Sequence, residues 1–327
     1  MIRIYLVSLL LFGICYLKAQ PTNLIESADD EFYNLISKDA KLEQIGEEFL
    51  FTEGPVWNVR EGCLLFSDIP ANKIYKWEPN GKISVYRESS GNSNGLAFDK
   101  LGWLVACQHG TRSITAMSKS HQVASIITTY KNKKLNSPND LVINSSGAIF
   151  FTDPPLGLEK MYEDPSRELP FSGVFVYKNM SVFLIDSTLY RPNGLALSPD
   201  QRFLYVANNQ YTGGEANLDK GVKSWFRYEL NKDLTVKNRI ELMRAPNSEI
   251  KGNPDGMKVD VKGNLYCAGP GGLLIFNKDG KYLGIIKLPE IPTNCAFGDT
   301  DNKTLYITDR KHVFKIRLLI TGSKQIQ

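Results

Sequence analysis

A short motif recurs six times along the 327-residue chain, and this repetition limits the possible folds more than any other feature. Each copy begins with a side chain that carries an amide or carboxylate oxygen, continues as an apolar run, turns at Gly, Asp or Asn, and ends in a second run rich in Leu, Tyr, Phe and Val. We call these first residues the openers; they are Glu53, Asn94, Asn139, Asn193, Asp255 and Asn294.

The spacing of the openers indicates the architecture. Consecutive openers are separated by 41, 45, 54, 62 and 39 residues, and strand repeats of roughly 40 to 50 residues are typical of propeller blades. The sequence therefore predicts an all-β protein folded as one six-bladed β-propeller, which we place at residues 45–319. The two longest spacings imply insertions within blades.

The segments outside the propeller have their own signals. Residues 1–19 combine Arg3 with an apolar run and end near Ala19, which predicts a signal peptide and a periplasmic or secreted protein that has no membrane contact after cleavage. The alternatives are an uncleaved anchor and a lipoprotein modified at Cys15, although Ile14 fits lipoprotein cleavage poorly. We interpret residues 20–44 as an N-terminal extension and 320–327 as a C-terminal tail, and we expect residues 41–49 to pair beside the last blade.

Composition excludes several function classes. The formal charge of +4 is spread through the chain without a dominant basic block, so no nucleic-acid partner is expected. No phosphate-binding Gly-x-Gly-x-x-Gly loop, Cys-x-x-Cys pair or His-x-x-x-His pair occurs. The cysteines that follow the predicted cleavage site are expected to be buried hydrophobic side chains; they are Cys63, Cys107, Cys267 and Cys295.

The openers are candidate ligands of a cation. The innermost strand of each propeller blade lines the central channel, so residues that begin equivalent strands converge at one mouth. Carboxylate and amide oxygens favour Ca²⁺ or Mg²⁺. The alternative is that Asn-Gly and Asp-Gly pairs mark hairpin turns, but Asn139, Asn193 and Asp255 each follow a proline, which suits the first residue of a strand.

The chain resembles a known family in several motifs between about residues 45 and 318. They are "FTEGPVW", "NSPNDLVINSSGAIFFTDPPLGL", "DPSRELPFSGVFVY", "RPNGLALSPD" and "NPDGMKVD". In these motifs it resembles the senescence marker protein, gluconolactonase and luciferin-regenerating enzyme-like family, and within it the bacterial gluconolactonases.

The resemblance implies one divalent cation, usually Ca²⁺, with Mg²⁺, Mn²⁺ or Zn²⁺ as alternatives. Its ligands would be Glu53, Asn139, Asn193 and Asp255, with Asp255 also acting as the general base; hydroxide bound to the cation is the alternative base. We expect Asn94, His109 and Asn294 to contact the substrate. Specificity is expected to lie in the insertions at 154–172 and 211–224.

The function predicted from these residues is metal-dependent hydrolysis of small sugar lactones such as glucono-1,5-lactone. One alternative is an esterase or phosphotriesterase that uses the same cation. The other is a propeller without catalytic activity, stabilised by calcium, that binds a carbohydrate or a protein. The carboxylate of Asp255 favours an enzyme, because a purely structural cation does not require an acid on its open side.

Overall fold

The computed structural model describes residues 24–210, 222–246 and 249–324. The predicted signal peptide lies outside these residues, as does most of the insertion predicted at 211–224. Within the described residues no helix is both long and apolar enough to cross a membrane.

The described chain is almost entirely antiparallel sheet, arranged in six blades. Two strands, β1 (Ile25–Ser27) and β2 (Leu42–Gly46), precede the first blade, which is formed by β3 (Thr52–Asn58), β4 (Cys63–Asp68), β5 (Lys73–Trp77) and β6 (Ile83–Glu88). The second blade contains β7 (Ser93–Phe98), β8 (Leu104–Gln108), β9 (Ser113–Met117) and β10 (Val123–Ile127). A short hairpin of β11 (Thr129–Tyr130) and β12 (Lys133–Lys134) follows. The third blade contains β13 (Leu141–Ile143), β14 (Ile149–Asp153), β15 (Gly173–Lys178) and β16 (Ser181–Asp186).

The remaining three blades complete the ring. The fourth contains β17 (Pro192–Leu197), β18 (Phe203–Gln210), β19 (Val222–Leu230) and β20 (Val236–Arg244). The fifth and sixth contain β21 (Met257–Val259), β22 (Leu265–Gly269), β23 (Gly272–Phe276) and β24 (Tyr282–Ile286), then β25 (Pro292–Gly298), β26 (Thr304–Asp309) and β27 (His312–Arg317). The innermost strands contact one another in the order β3, β7, β13, β17, β21, β25 and back to β3, so the ring is closed. The predicted six-bladed β-propeller is confirmed.

The N-terminal segment supplies the outer strands of the last two blades. β2 pairs antiparallel with β27, with Leu42 opposite Ile316, as expected from the sequence. β1 pairs with β24 as a fifth strand of blade five, which the sequence had not indicated. Between β1 and β2 lies the short 3-10 helix Asp30–Asn34, whose N-cap Asp29 accepts a hydrogen bond from the Glu31 amide.

Apolar side chains fill the interfaces between neighbouring blades. In blade three, the alternating run of β15 places Phe175 against blade two and Val174 and Val176 against blade four. The two-residue turn that follows, Asn179–Met180, has positive φ at both positions, which matches the twist of a tight hairpin. The cysteines of the described chain are buried and unpaired, and each lies within one of these interfaces; they are Cys63, Cys107, Cys267 and Cys295.

The strand directions place the openers and the insertions at one end of the channel. Each innermost strand runs away from its opener, and the next strand returns to the same end, so the loops after β14 and β18 lie there. The loop after β14, residues 154–172, contains the 3-10 helices Pro155–Gly157 and Met161–Glu163. At the opposite end, Ser323 donates its amide to the Val259 carbonyl and lines the channel with apolar side chains such as Leu96 and Phe297.

Candidate functional site

The openers lie at the start of the innermost strands and not in hairpin turns. Asn94 and Asn193 are within β7 and β17, and Asp255 lies just before β21. The glycine that follows an opener is required by the neighbouring blade: a Cβ added to Gly54 would lie 2.0 Å from the Asn94 carbonyl oxygen, and one added to Gly256 would lie 1.9 Å from Asn294 Cγ. The hairpin-turn interpretation is therefore wrong, because these glycines allow adjacent openers to pack closely around the channel.

Four blades contribute polar side chains to a buried cluster at this mouth, and hydrogen bonds join those of blades one, three and six. Asn294, from blade six, donates through Nδ2 to Glu53 Oε2 at 3.1 Å and to Asp140 Oδ2 at 3.3 Å. Glu53 also accepts from the amide of Gly54 at 2.8 Å, and Asp140 accepts from the amide of Leu141 at 2.8 Å. One amide side chain thus holds two carboxylates, from blades one and three, near the channel axis.

Asp255 contributes a third carboxylate to this cluster, from the start of blade five. Its Oδ1 atom is buried and has no hydrogen-bond partner among the described residues, although its amide is fixed by the Ala268 carbonyl at 3.0 Å. Burial, followed by the negative charges of Glu53 and Asp140, raises the pKa of Asp255 well above its usual value. Burial and the Asp140 carboxylate likewise raise the pKa of Glu53 to about 7. In the absence of a cation, this cluster cannot easily carry all its negative charge.

Lys258 supplies the positive charge that the structure shows beneath this cluster. Its Nζ atom donates to Asn294 Oδ1 at 3.4 Å and to the Met257 carbonyl at 3.1 Å. Burial raises the pKa of Asp140, and the ammonium of Lys258 opposes this shift because it favours the ionised carboxylate. A single lysine offsets only part of the charge of the carboxylates Glu53, Asp140 and Asp255.

The remaining predicted ligands, Asn139 and Asn193, are held by their backbones. The Asn139 carbonyl accepts from the amide of Gly95 at 2.9 Å, and the Asn193 carbonyl accepts from Thr152 Oγ1 at 2.7 Å. Both residues are buried. Their side-chain roles, like the complete ligand set, stay a prediction.

The predicted substrate contacts lie beside the same cluster. Asn94 Nδ2 and His109 Nε2 are 3.3 Å apart, and Asn94 Oδ1 is buried without a hydrogen-bond partner in the part of the chain that is described. Burial lowers the pKa of His109 to about 4, so its imidazole is neutral at pH 7. Gly157 of the insertion packs on this ring, since a Cβ there would lie 2.3 Å from His109 Cγ. The imidazole is thereby held between blade two and the insertion.

The predicted ligands fit a divalent cation because each carries a side-chain oxygen that can coordinate it; they are Glu53, Asn139, Asn193 and Asp255. In residues 24–210, 222–246 and 249–324, no group of three or more His, Cys, Asp or Glu side chains is arranged to hold a metal ion. The predicted set instead mixes two carboxylates with two amides. An unpaired carboxylate oxygen on Asp255 and mutual repulsion among buried acids are features that a cation would relieve.

Two members of the cluster were not identified from sequence. Asp140 follows Asn139 directly in "PND", where an aspartate is equally typical of a turn, and Lys258 is an ordinary charged residue within "DGMKVD". The available signal was the period of the repeat: Lys258 is the third residue after its opener, on the strand that lines the channel. Asp140 and Lys258 enter the site because the inner strands of different blades converge.

Comparisons with known proteins agree with this fold. Residues 51–311 match the family model described as the SMP-30/Gluconolactonase/LRE-like region. A gluconolactonase from Zymomonas mobilis is 35% identical over 310 residues, covering 88% of this chain and 84% of the relative. A solved gluconolactonase from Xanthomonas campestris has a TM-score of 0.78 and 29% identity, covering 90% of this chain and 94% of that one.

A more distant solved structure has the same fold. It is a calcium-binding protein, regucalcin, from Agrobacterium tumefaciens, with a TM-score of 0.71 and 16% identity, covering 88% of this chain and 96% of that one. At this identity the similarity shows the fold alone.

Proposed function

Because the chain belongs to the SMP-30/gluconolactonase/LRE-like family, we propose that it is an enzyme that hydrolyses sugar lactones, such as glucono-1,5-lactone, to the corresponding hydroxy acids. The observation that carries this proposal is the buried Asp255 carboxylate oxygen without a hydrogen-bond partner among the described residues. It lies in a cluster of polar side chains at the mouth where six blades meet. A carboxylate in this state is suited to accept a proton from a water molecule.

The proposed cofactor is one divalent cation, with Ca²⁺ preferred by the all-oxygen donor set. Glu53, Asn139, Asn193 and Asp255 would hold it, so that the two carboxylates offset its charge. When bound, the cation would polarise the lactone carbonyl and stabilise negative charge on its oxygen. Its charge would also favour the ionised forms of Glu53 and Asp255, whose pKa values are raised by burial.

The remaining chemistry belongs to the side chains of this chain. Asp255 takes a proton from water while the water oxygen attacks the carbonyl carbon. The bond between that carbon and the ring oxygen then breaks, and the ring oxygen takes the proton held by Asp255 to become the hydroxyl group of the product. Asn94 Oδ1, which is buried without a hydrogen-bond partner among the described residues, would accept a hydrogen bond from a substrate hydroxyl, and the neutral His109 beside it and Asn294 would be further substrate contacts. General-base assistance of this kind contributes roughly 100- to 10,000-fold in rate.

The test measures acid release from glucono-1,5-lactone by the wild-type protein and by Asp255→Asn. This substitution keeps an oxygen donor but removes the proton acceptor, so turnover is expected to fall at least about 100-fold while saturating cation does not restore it. Exhaustive chelation should abolish the wild-type rate. Asp140→Asn is the matched variant, because it changes a second buried carboxylate of the same cluster that is not the proposed base.

Three outcomes would contradict parts of the proposal. Recovery of the Asp255→Asn rate by excess cation would show that Asp255 is only a ligand. Activity that survives complete chelation would exclude the role of the cation. A metal-loaded protein that hydrolyses neither sugar lactones nor simple aryl esters would be a binding module.

A further inference from the structure

Arg191 is a buried arginine at the mouth of the channel, and no carboxylate among the described residues pairs with it. Its side chain retains only 6% exposure, and its Nε atom is buried without a hydrogen-bond partner among the described residues. None of the ion pairs in the described residues includes it. Because arginine stays charged at any physiological pH, this is a buried positive charge without a counter-ion in residues 24–210, 222–246 and 249–324.

The backbone around Arg191 fixes it beside the proposed site. Its amide donates to Asn208 Oδ1 at 3.1 Å, and its carbonyl accepts from the amide of Asn209 at 3.3 Å. Arg191 precedes Pro192, the first residue of β17, and stands two residues before the opener Asn193. It therefore lies at the end of blade four where the inner strand begins, which is the end that holds the openers.

Within the described residues, the guanidinium of Arg191 contacts aromatic rings. The Cζ atom lies 5.9 Å from the ring centroids of both Tyr162 and Tyr190, which stack on each other at 4.7 Å. Cation–π contacts at such distances are weak and do not replace a hydrogen bond from the buried Nε–H group. A buried guanidinium of this kind is completed by a carboxylate or phosphate, which it can bind through two parallel hydrogen bonds.

We propose that Arg191 binds a second anionic group on the substrate, at the end away from the lactone carbonyl; this rests on the proposed lactone hydrolysis. The carboxylate produced by hydrolysis forms beside Asp255 and Glu53, and Arg191 pairs with neither of these residues. Its anion is therefore a different group, so the substrate class is an acidic sugar lactone. Tyr162 belongs to the insertion 154–172, so the insertion would form one wall of this subsite.

The second anion has two possible chemical forms, a carboxylate or a phosphate ester. Arginine recognises both through the same paired hydrogen bonds. Binding of open-chain product analogues distinguishes them: D-glucarate carries a second carboxylate, 6-phosphogluconate carries a phosphate, and D-gluconate carries neither. Calorimetric titration of the three compounds into the Ca²⁺-loaded protein measures affinity independently of turnover.

We expect the wild-type protein to bind at least one of the two acidic compounds about ten- to a hundred-fold more tightly than gluconate. Arg191→Met should reduce this ratio towards one, and Arg191→Lys should restore part of it, because lysine keeps the charge without the paired geometry. The control is Arg227→Met, since Arg227 also lies over an aromatic ring, Phe203 at 4.8 Å, but near the opposite end of blade four. This variant should keep the wild-type ratio.

Either of two results would overturn the inference: a wild-type protein without preference for the acidic compounds, or a preference that survives in a folded Arg191→Met variant. Failure of the proposed function gives a different result. If wild-type protein hydrolyses glucono-1,5-lactone but shows no preference, only the role of Arg191 is wrong. If neither neutral nor acidic lactones are hydrolysed, the proposed function is wrong whatever the binding ratio.

Discussion

The individual residues of the site are held in forms that are unfavourable without a positively charged ligand. Glu53 and Asp140 are each only 3% exposed. The positive charge of Lys258 acts on both carboxylates. Burying a carboxylate without a full set of partners costs free energy, which a protein avoids by raising the pKa or by binding a cation. The pKa of about 7 for Glu53 is the first of these responses.

This response leads to a prediction for the metal-free protein. The ordinary pKa of Glu53 is 4.5 and the folded value is about 7. Between these values the folded state holds a proton that the unfolded state releases, so the free energy of unfolding falls as pH rises, and the full cost is present above pH 7. One pKa unit corresponds to about 1.4 kcal/mol. Glu53→Gln removes this titration, so in chelator its Tm at pH 8 should exceed the wild-type Tm by a few degrees.

The same substitution should have the opposite effect on cation binding. Glu53→Gln removes one of two proposed ligand charges, so Ca²⁺ affinity measured by calorimetry should fall by orders of magnitude. Glu88→Gln, which changes a surface carboxylate paired with Lys73 at 3.3 Å, is the control and should alter neither quantity. Equal Ca²⁺ affinity in Glu53→Gln would show that Glu53 is not a ligand, and an unchanged pH dependence of the metal-free Tm would show that Glu53 is not responsible for it.

Among the structural elements, the insertion 154–172 is held partly by contacts outside its own blade. Arg112, in the loop between β8 and β9 of blade two, donates through Nη1 to the Ser166 carbonyl at 2.9 Å and through Nε to the Leu135 carbonyl at 2.7 Å. Asp153, at the base of the insertion, is fully buried, and burial raises its pKa to about 7 although Arg112 and Arg167 oppose the shift. Arg112 thus joins the insertion to a neighbouring blade.

We predict that Arg112→Met releases the insertion while the propeller remains folded. Losing hydrogen bonds from a charged donor costs on the order of 1.5–3 kcal/mol each, and a surface loop that loses such bonds opens locally more readily. Limited proteolysis followed by mass spectrometry should show several-fold faster cleavage within 154–172. Arg60→Met is the matched control, because Arg60 also joins two blades, through the Leu101 carbonyl at 3.1 Å, but at the opposite end of the channel. Equal cleavage rates in the two variants would mean that Arg112 does not hold the insertion.

At the scale of the whole molecule, the sequence predicts the repeated blades better than it predicts the strands and side chains that do not follow the repeat. The openers and the closing strand around Leu42 follow from periodicity, because each blade must bury the same apolar faces. The pairing of β1 with blade five does not follow, because three residues such as Ile25–Ser27 carry no periodic signal. Asp140, Lys258 and Arg191 were missed for another reason: their roles arise only when distant parts of the chain converge on the channel mouth.

The closure of the ring gives the last prediction. β2 completes blade six beside β27, and Glu43 lies directly opposite Lys315, with their charged groups 3.3 Å apart. Residues directly opposite across antiparallel strands have the Cα separation that a disulfide requires. Glu43→Cys with Lys315→Cys would join the two ends of the propeller and remove chain entropy worth roughly 5–6 kcal/mol from the unfolded state. The oxidised double variant should therefore have a Tm up to about 10 °C above the wild type, and reductant should remove the gain.

Glu43→Cys alone should show no such dependence on reductant, since the cysteines described in the native chain are buried. An oxidised, cross-linked protein that melts with the wild type would show that separation of β2 from β27 does not limit the stability of the ring.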